Sequence, residues 1–164
     1  MGETDDRVRI FPVETRFQQL ARRPGGIPRD KALERAQSKI DEAKPAFDDW
    51  LNQQLEALVG AVKRAQTASA DAEWVKTADR YCRQLRDVGS TMDFELLTFI
   101  AGSLSEMLEA IIAGAECDME SIQCHIDALL LARQKSYRGV KPEQVPELIS
   151  GLRRVVEQVS TLPP

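Results

Sequence analysis

Residues Tyr81 to Leu108 read YCRQLRDVGSTMDFELLTFIAGSLSEML. The stretch predicts one helix ending near Val88, a turn at Gly89-Ser90-Thr91, and a second, more apolar helix beginning near Asp93. Backwards from the turn, the segment Asp71 to Val88 places Trp74, Ala78, Tyr81, Leu85 and Val88 on one stripe. At about 100° per residue, Arg83 falls on the opposite side, facing water, with Lys76, Asp79, Arg80 and Arg86 toward the same side. Forwards from the turn, Asp93 to Ala113 carries a main stripe of Leu97, Ile100, Ala101, Leu104, Leu108 and Ile111. Leu96, Phe99 and Met107 lie outside that stripe. A helix apolar on several sides is central to its fold. Such a helix is covered either by the N-terminal arm or by a second copy of the chain through Leu96, Phe99 and Met107.

The rest of the chain follows the same helical period. Residues 1–27 form an N-terminal arm and a short helix, Glu14 to Arg23, with Phe17, Leu20 and Ala21 on one face. Pro24-Gly25-Gly26 stops it. A helical bundle then occupies 28–162. Its first segment starts around Pro28 to Asp30. Leu33, Ala36, Ile40, Ala43, Phe47, Trp50, Leu51, Leu55, Leu58 and Val62 recur there in steps of three and four. Pro45 lies inside this run, where it removes a backbone donor, so the rod is expected to kink or to split in two. Ala65 to Ala70 reads as a connector. Asp118 caps a further helix reaching about Tyr137, with Met119, Ile122, Ile126, Leu129 and Leu130 inward. Gly139 suits the position just past its end. A last helix spans Pro142 to Ser160, with Val145, Leu148, Ile149, Leu152, Val155, Val156 and Val159 inward. No strand pattern appears, so the fold class is all-α, an antiparallel helical bundle with short loops.

Composition narrows the function classes. Of 164 residues, 43% are hydrophobic, 29% charged and 5% aromatic, and the net charge is −4. That balance lacks the concentrated basic surface that sequence-independent nucleic-acid binding requires. No apolar run is long enough to span a bilayer, and the N-terminus lacks a signal-peptide core. Cys82, Cys117 and Cys124 are odd in number and form no disulfide framework, which suits a reducing cytoplasm. With His125 they offer zinc-ligand types without the usual paired spacings, so no metal site is expected. A single histidine excludes a di-iron bundle site. No phosphate-binding glycine loop and no nucleophile elbow is present, so neither cofactor nor catalytic residues are expected. His125 reads as a half-buried histidine beside a core stripe. Its sharper reading is a phospho-acceptor, unaided by Asp127, which two residues away does not share its face.

The order of motifs resembles the histidine-phosphotransfer (Hpt) family. In that family an exposed histidine lies mid-helix in a pattern close to H-x-x-K-G. One bacterial subgroup continues with a glycine turn, an F-G-Y-P-L-like helix start, a small-Ser-Leu-Cys segment and an H-V-D-A-L-like stretch. Here Arg83-Gln-Leu-Arg86-Asp87 stands at the first motif. Gly89 to Thr98 covers the turn and helix start, Gly102-Ser103-Leu104-Ser105 the third, and His125-Ile126-Asp127-Ala128-Leu129 the last. The resemblance implies a four-helix Hpt-like core with an extra N-terminal helix and arm. It also implies a partner: a response-regulator receiver domain or a histidine kinase of a two-component or chemotaxis system. Two departures matter. Arg83 cannot accept a phosphoryl group as imidazole does, and Asp87 brings negative charge where glycine is usual. What survives is a basic strip of Lys76, Arg80, Arg83 and Arg86, with Asp79 and Asp87 at its flanks, suited to an acidic receiver pocket. The expected role is therefore a non-catalytic adaptor that docks a partner through this strip. Phosphotransfer through His125 and a structural dimerisation module are the alternatives. The plain alternative for the strip is a solvated helix face with ordinary charge pairs.

Overall fold

The computed structural model describes residues 15, 16, 19, 25–67 and 73–161. Five α-helices occupy them: α1 (Arg29–Thr67), α2 (Glu73–Gly89), α3 (Glu95–Ile112), α4 (Met119–Ala132) and α5 (Pro146–Thr161). Among the described residues there is no strand, and the chain is an all-α helical bundle. The expected helix Glu14 to Arg23 lies largely outside them, except that the Gln19 N–H donates to the Thr15 carbonyl at 3.1 Å. Residues 1–14 of the expected arm lie outside them entirely.

The chain divides into two compact units, 1–41 and 42–164. In the first, α1 begins at Arg29, and the Ala32 N–H donates back to the Pro28 carbonyl at 3.0 Å. Proline suits such a first turn because its missing donor has no partner there. Among the described residues of this unit none is buried: Leu33 is 57% exposed and Ala36 is exposed as well. Helix α1 passes through Pro45 without ending, so of the two expected outcomes, a kink or a split, the split does not occur.

The second unit holds the core. Phe47, Leu51, Leu55, Leu58 and Val62 of α1 are buried there. Helix α3 is central: Leu96, Leu97, Ile100, Ala101, Leu104, Met107 and Leu108 are at most 1% exposed, and α3 packs against α2, α4 and α5. Each such leucine or isoleucine contributes about 1.5–3 kcal/mol through removal from water. The coverage of α3 corrects the expected dimer face. Leu96 and Met107 belong to the chain's own interior, and Phe99 is half-buried with the Arg153 guanidinium 5.6 Å from its ring centre. The cover comes from neighbouring helices of the same chain.

Helices α2 and α3 are antiparallel neighbours joined by a tight turn. Ser90–Met92 forms a 3-10 turn, and Asp93 takes a left-handed conformation (φ 65°) rather than starting the helix. The Phe94 N–H donates to the Gly89 carbonyl at 2.9 Å. Gly89 has ordinary helical angles; it is glycine because a Cβ there would collide with the Thr98 hydroxyl. The segment after α4 closes over this turn. The Gly139 N–H donates to the Asp93 carbonyl at 2.7 Å, and the Leu96 N–H to the Val140 carbonyl at 3.2 Å. Arg138 of that segment binds Asp48 of α1 at 2.5 Å and stacks 4.6 Å above the Phe94 ring.

Two helix limits differ from expectation. Asp118 caps α4, accepting from the Glu120 N–H at 3.0 Å and from the Ser121 hydroxyl, but α4 ends at Ala132 instead of Tyr137. Gln134 is extended, and Lys135–Tyr137 is a separate 3-10 turn. Helix α5 begins at Pro146, because Pro142 opens its own short turn, Pro142–Gln144.

Candidate docking face on helix α2

Helix α2 turns Trp74, Val75, Ala78, Cys82, Leu85 and Gly89 inward. That stripe is rotated from the expected one: Tyr81 is half-buried and Val88 is 37% exposed. The rotation carries Asp79 inward as well, to 8% exposure, although the pattern placed it at the edge of the solvent face. The reason lies on α3. The Ser105 hydroxyl donates to Asp79 Oδ1 at 2.5 Å, and Arg83 Nε donates to Asp79 Oδ2 at 2.7 Å. A buried carboxylate is tolerable only when its oxygens are satisfied in this way.

Arg83 stands outward, with 47% of its side chain exposed. It is not free. Its Nη2 donates to Glu109 Oε1 at 2.8 Å, so one guanidinium links α2 to α3 at two carboxylates. The hydrogen bond it donates to Asp79, followed by the charges of Asp79 and Glu109, pushes its pKa further above the ordinary arginine value. The group stays cationic at any pH the fold survives. The guanidinium is thus fixed in direction and has its charge largely balanced.

The other strip residues are less committed. The Lys76 side chain is 61% exposed, and its ammonium has Glu73 at 3.9 Å, the limit of an ion pair. Arg80 is exposed and lies 5.3 Å from the Tyr81 ring centre. Arg86 contacts Asp87 at 3.4 Å, and both are exposed. Such exposed pairs hold their charges weakly. Lys76, Arg80, Arg83 and Arg86 therefore share one accessible face, as the spacing implied. Arg86 also walls an open groove of about 470 Å³, with Phe99 and Gly102 of α3 beneath and Arg153 of α5 opposite. Glu106 and Glu157 line it too, so the groove is of mixed charge.

His125 is elsewhere and is not half-buried as expected; its exposure is 0%. Nδ1 lies 2.9 Å from the Ser121 carbonyl, which can only accept, so Nδ1 carries the proton. Nε2 then accepts from the Ser103 hydroxyl at 3.0 Å. Burial pushes the imidazole pKa below its ordinary value, despite the opposing effect of the Ser121 carbonyl. Both nitrogens are occupied and no ring atom reaches solvent, a correction to the phospho-acceptor alternative. Asp127 accepts instead from Gln123 at 2.9 Å. The cysteines do not converge: Cys82 is buried, with its thiol pushed up by desolvation, whereas Cys117 and Cys124 are exposed. Among the described residues no three His, Cys, Asp or Glu side chains are grouped to hold a metal, and no helix is long and apolar enough to cross a membrane.

The sequence reading missed Ser105 and Glu109, whose roles depend on the α2–α3 crossing. A serine inside an otherwise apolar helix was the available signal for Ser105.

No protein-family model, no curated protein and no solved structure matches this chain.

Proposed function

We propose that the chain is a non-catalytic, Hpt-like adaptor of two-component or chemotaxis signalling, docking a receiver domain or histidine kinase through α2. The observation that carries the reading is the accessible row of Lys76, Arg80, Arg83 and Arg86 on one helix face. Arg83, standing where the resemblance places imidazole, is braced by Asp79 and Glu109. A braced cation meets an acidic surface with little ordering cost, and its loosely paired neighbours supply steering charge. His125, buried and doubly hydrogen-bonded, favours docking without transfer.

The test uses Arg80→Glu/Arg86→Glu, because these side chains stand outside the Asp79 network and their reversal spares the fold. Binding of purified receiver domains from the source organism is measured by calorimetry for both proteins. The double variant is expected to lose at least tenfold in affinity while melting at the wild-type temperature. Equal binding by both proteins, or binding of no receiver or kinase by the wild type, would overturn the assignment.

A further inference from the structure

At the far end of the α2–α3 pair lies a cavity of about 380 Å³ that shares only Lys76 with the docking strip. Trp74 of α2, Ile111 and Ile112 of α3, and Met119 of α4 form most of its wall. Among the described residues Lys76 is the one charged residue lining it, and Cys117 adds a thiol. Ile112, at the edge, is 48% exposed, a large apolar surface left in water. The volume falls within the range of small-molecule sites, and an apolar wall with one placed polar group is their usual composition.

The charge at the cavity selects the ligand. The Lys76 side chain is 61% exposed and its ammonium only loosely held by Glu73 at 3.9 Å, so it can turn to an incoming anion. It also projects from the first turn of α2, the end of a helix whose dipole favours negative charge. A cationic headgroup would meet Lys76 as a like charge. A fully polar anion would leave the tryptophan and isoleucine surface wet. We infer that this cavity binds an amphiphilic carboxylate, its alkyl chain against Trp74, Ile111 and Met119 and its headgroup at Lys76. The site shares Lys76 with the docking strip, but its apolar wall does not belong to that strip, and the Arg80→Glu/Arg86→Glu test leaves it untouched.

Decanoate is the probe, titrated calorimetrically below its micellar concentration into the full chain, with decyltrimethylammonium and decanol as comparisons. Decanoate is expected to bind saturably, at least tenfold more tightly than the ammonium amphiphile. Lys76→Met should reduce decanoate to the affinity of decanol and leave decanol unchanged. Ile112→Asp, at a half-exposed position that the fold tolerates, should weaken both at least tenfold. In a Cys124→Ser background, bound decanoate should slow alkylation of Cys117 by N-ethylmaleimide. The inference is overturned by absence of saturable binding, by equal affinity for the cationic amphiphile, or by Ile112→Asp binding as the wild type does. Scattering that shows a wild-type dimer dissociated by Ile112→Asp would also overturn it, assigning the apolar edge to a second copy.

Discussion

Asp79 and Ser105, twenty-six positions apart, meet across the α2–α3 crossing at 2.5 Å, and Arg83 holds the other carboxylate oxygen at 2.7 Å. This contact orients the whole face. It turns α2 so that Cys82 and Leu85 point inward and Arg83 outward. Replacing Asp79 by Ala leaves the Ser105 hydroxyl without its acceptor and Arg83 with Glu109 alone. A loss of about 1–3 kcal/mol is expected, read from the urea midpoint at unchanged slope. Ser105→Ala should cost less, about 1 kcal/mol, because Asp79 keeps Arg83.

Much of this architecture was legible in the residues. The three-and-four spacing from Phe47 to Val62 continues in phase across Pro45, and the helix does the same. Asp118 announced its cap, and the glycine at 89 announced the turn. The apolar breadth of α3 marked it as central, although Leu96 and Met107 could equally have faced a second copy; only the placement of the other helices decides that. The rotation of α2 was not legible. Its cause is a hydroxyl on another helix, and a carboxylate drawn inward by a tertiary partner leaves no local trace. The early end of α4 was hidden for a related reason: residues 134–140 are held by bonds to Asp93 and Leu96 rather than by their own period. Of the candidate face, the four cations were readable from spacing, but not how firmly each is held.

His125 provides a pH test. Its pKa in the fold lies below the ordinary 6.5 because burial disfavours the cation. As pH falls below about 6.5, the unfolded chain takes up a proton that the folded chain refuses. Stability therefore declines through the window between 6.5 and the lower folded value, and this contribution levels off below it. As the sole histidine, its Cε1–H resonance can be followed without ambiguity. The expected midpoint in the folded protein is below 6.5; a midpoint at or above it would show a ring open to solvent or paired with a carboxylate.

Gly89 tests the turn. Gly89→Ala should destabilise by about 1–3 kcal/mol, as overpacking does, because its Cβ would enter the space of the Thr98 hydroxyl. Adding Thr98→Ala should recover part of that loss. A double-mutant cycle measured by thermal unfolding gives the coupling; purely additive effects would place the conflict elsewhere.

Arg138 tests the closing segment. Arg138→Ala removes both the Asp48 contact and the stacking on Phe94, and should cost about 1–2 kcal/mol. Arg138→Lys should recover little, since an ammonium cannot both pair in that geometry and cover the ring. Chemical denaturation of the two variants decides the point.

The most direct measurement is a heteronuclear NMR titration of the labelled chain with a receiver domain from the source organism. Shift changes concentrated on the amides of residues 76–87, growing as salt is lowered from about 0.3 M to 0.05 M, are the predicted result. Changes centred on α4 around His125, or no change at α2 with any receiver or kinase domain, would contradict the account.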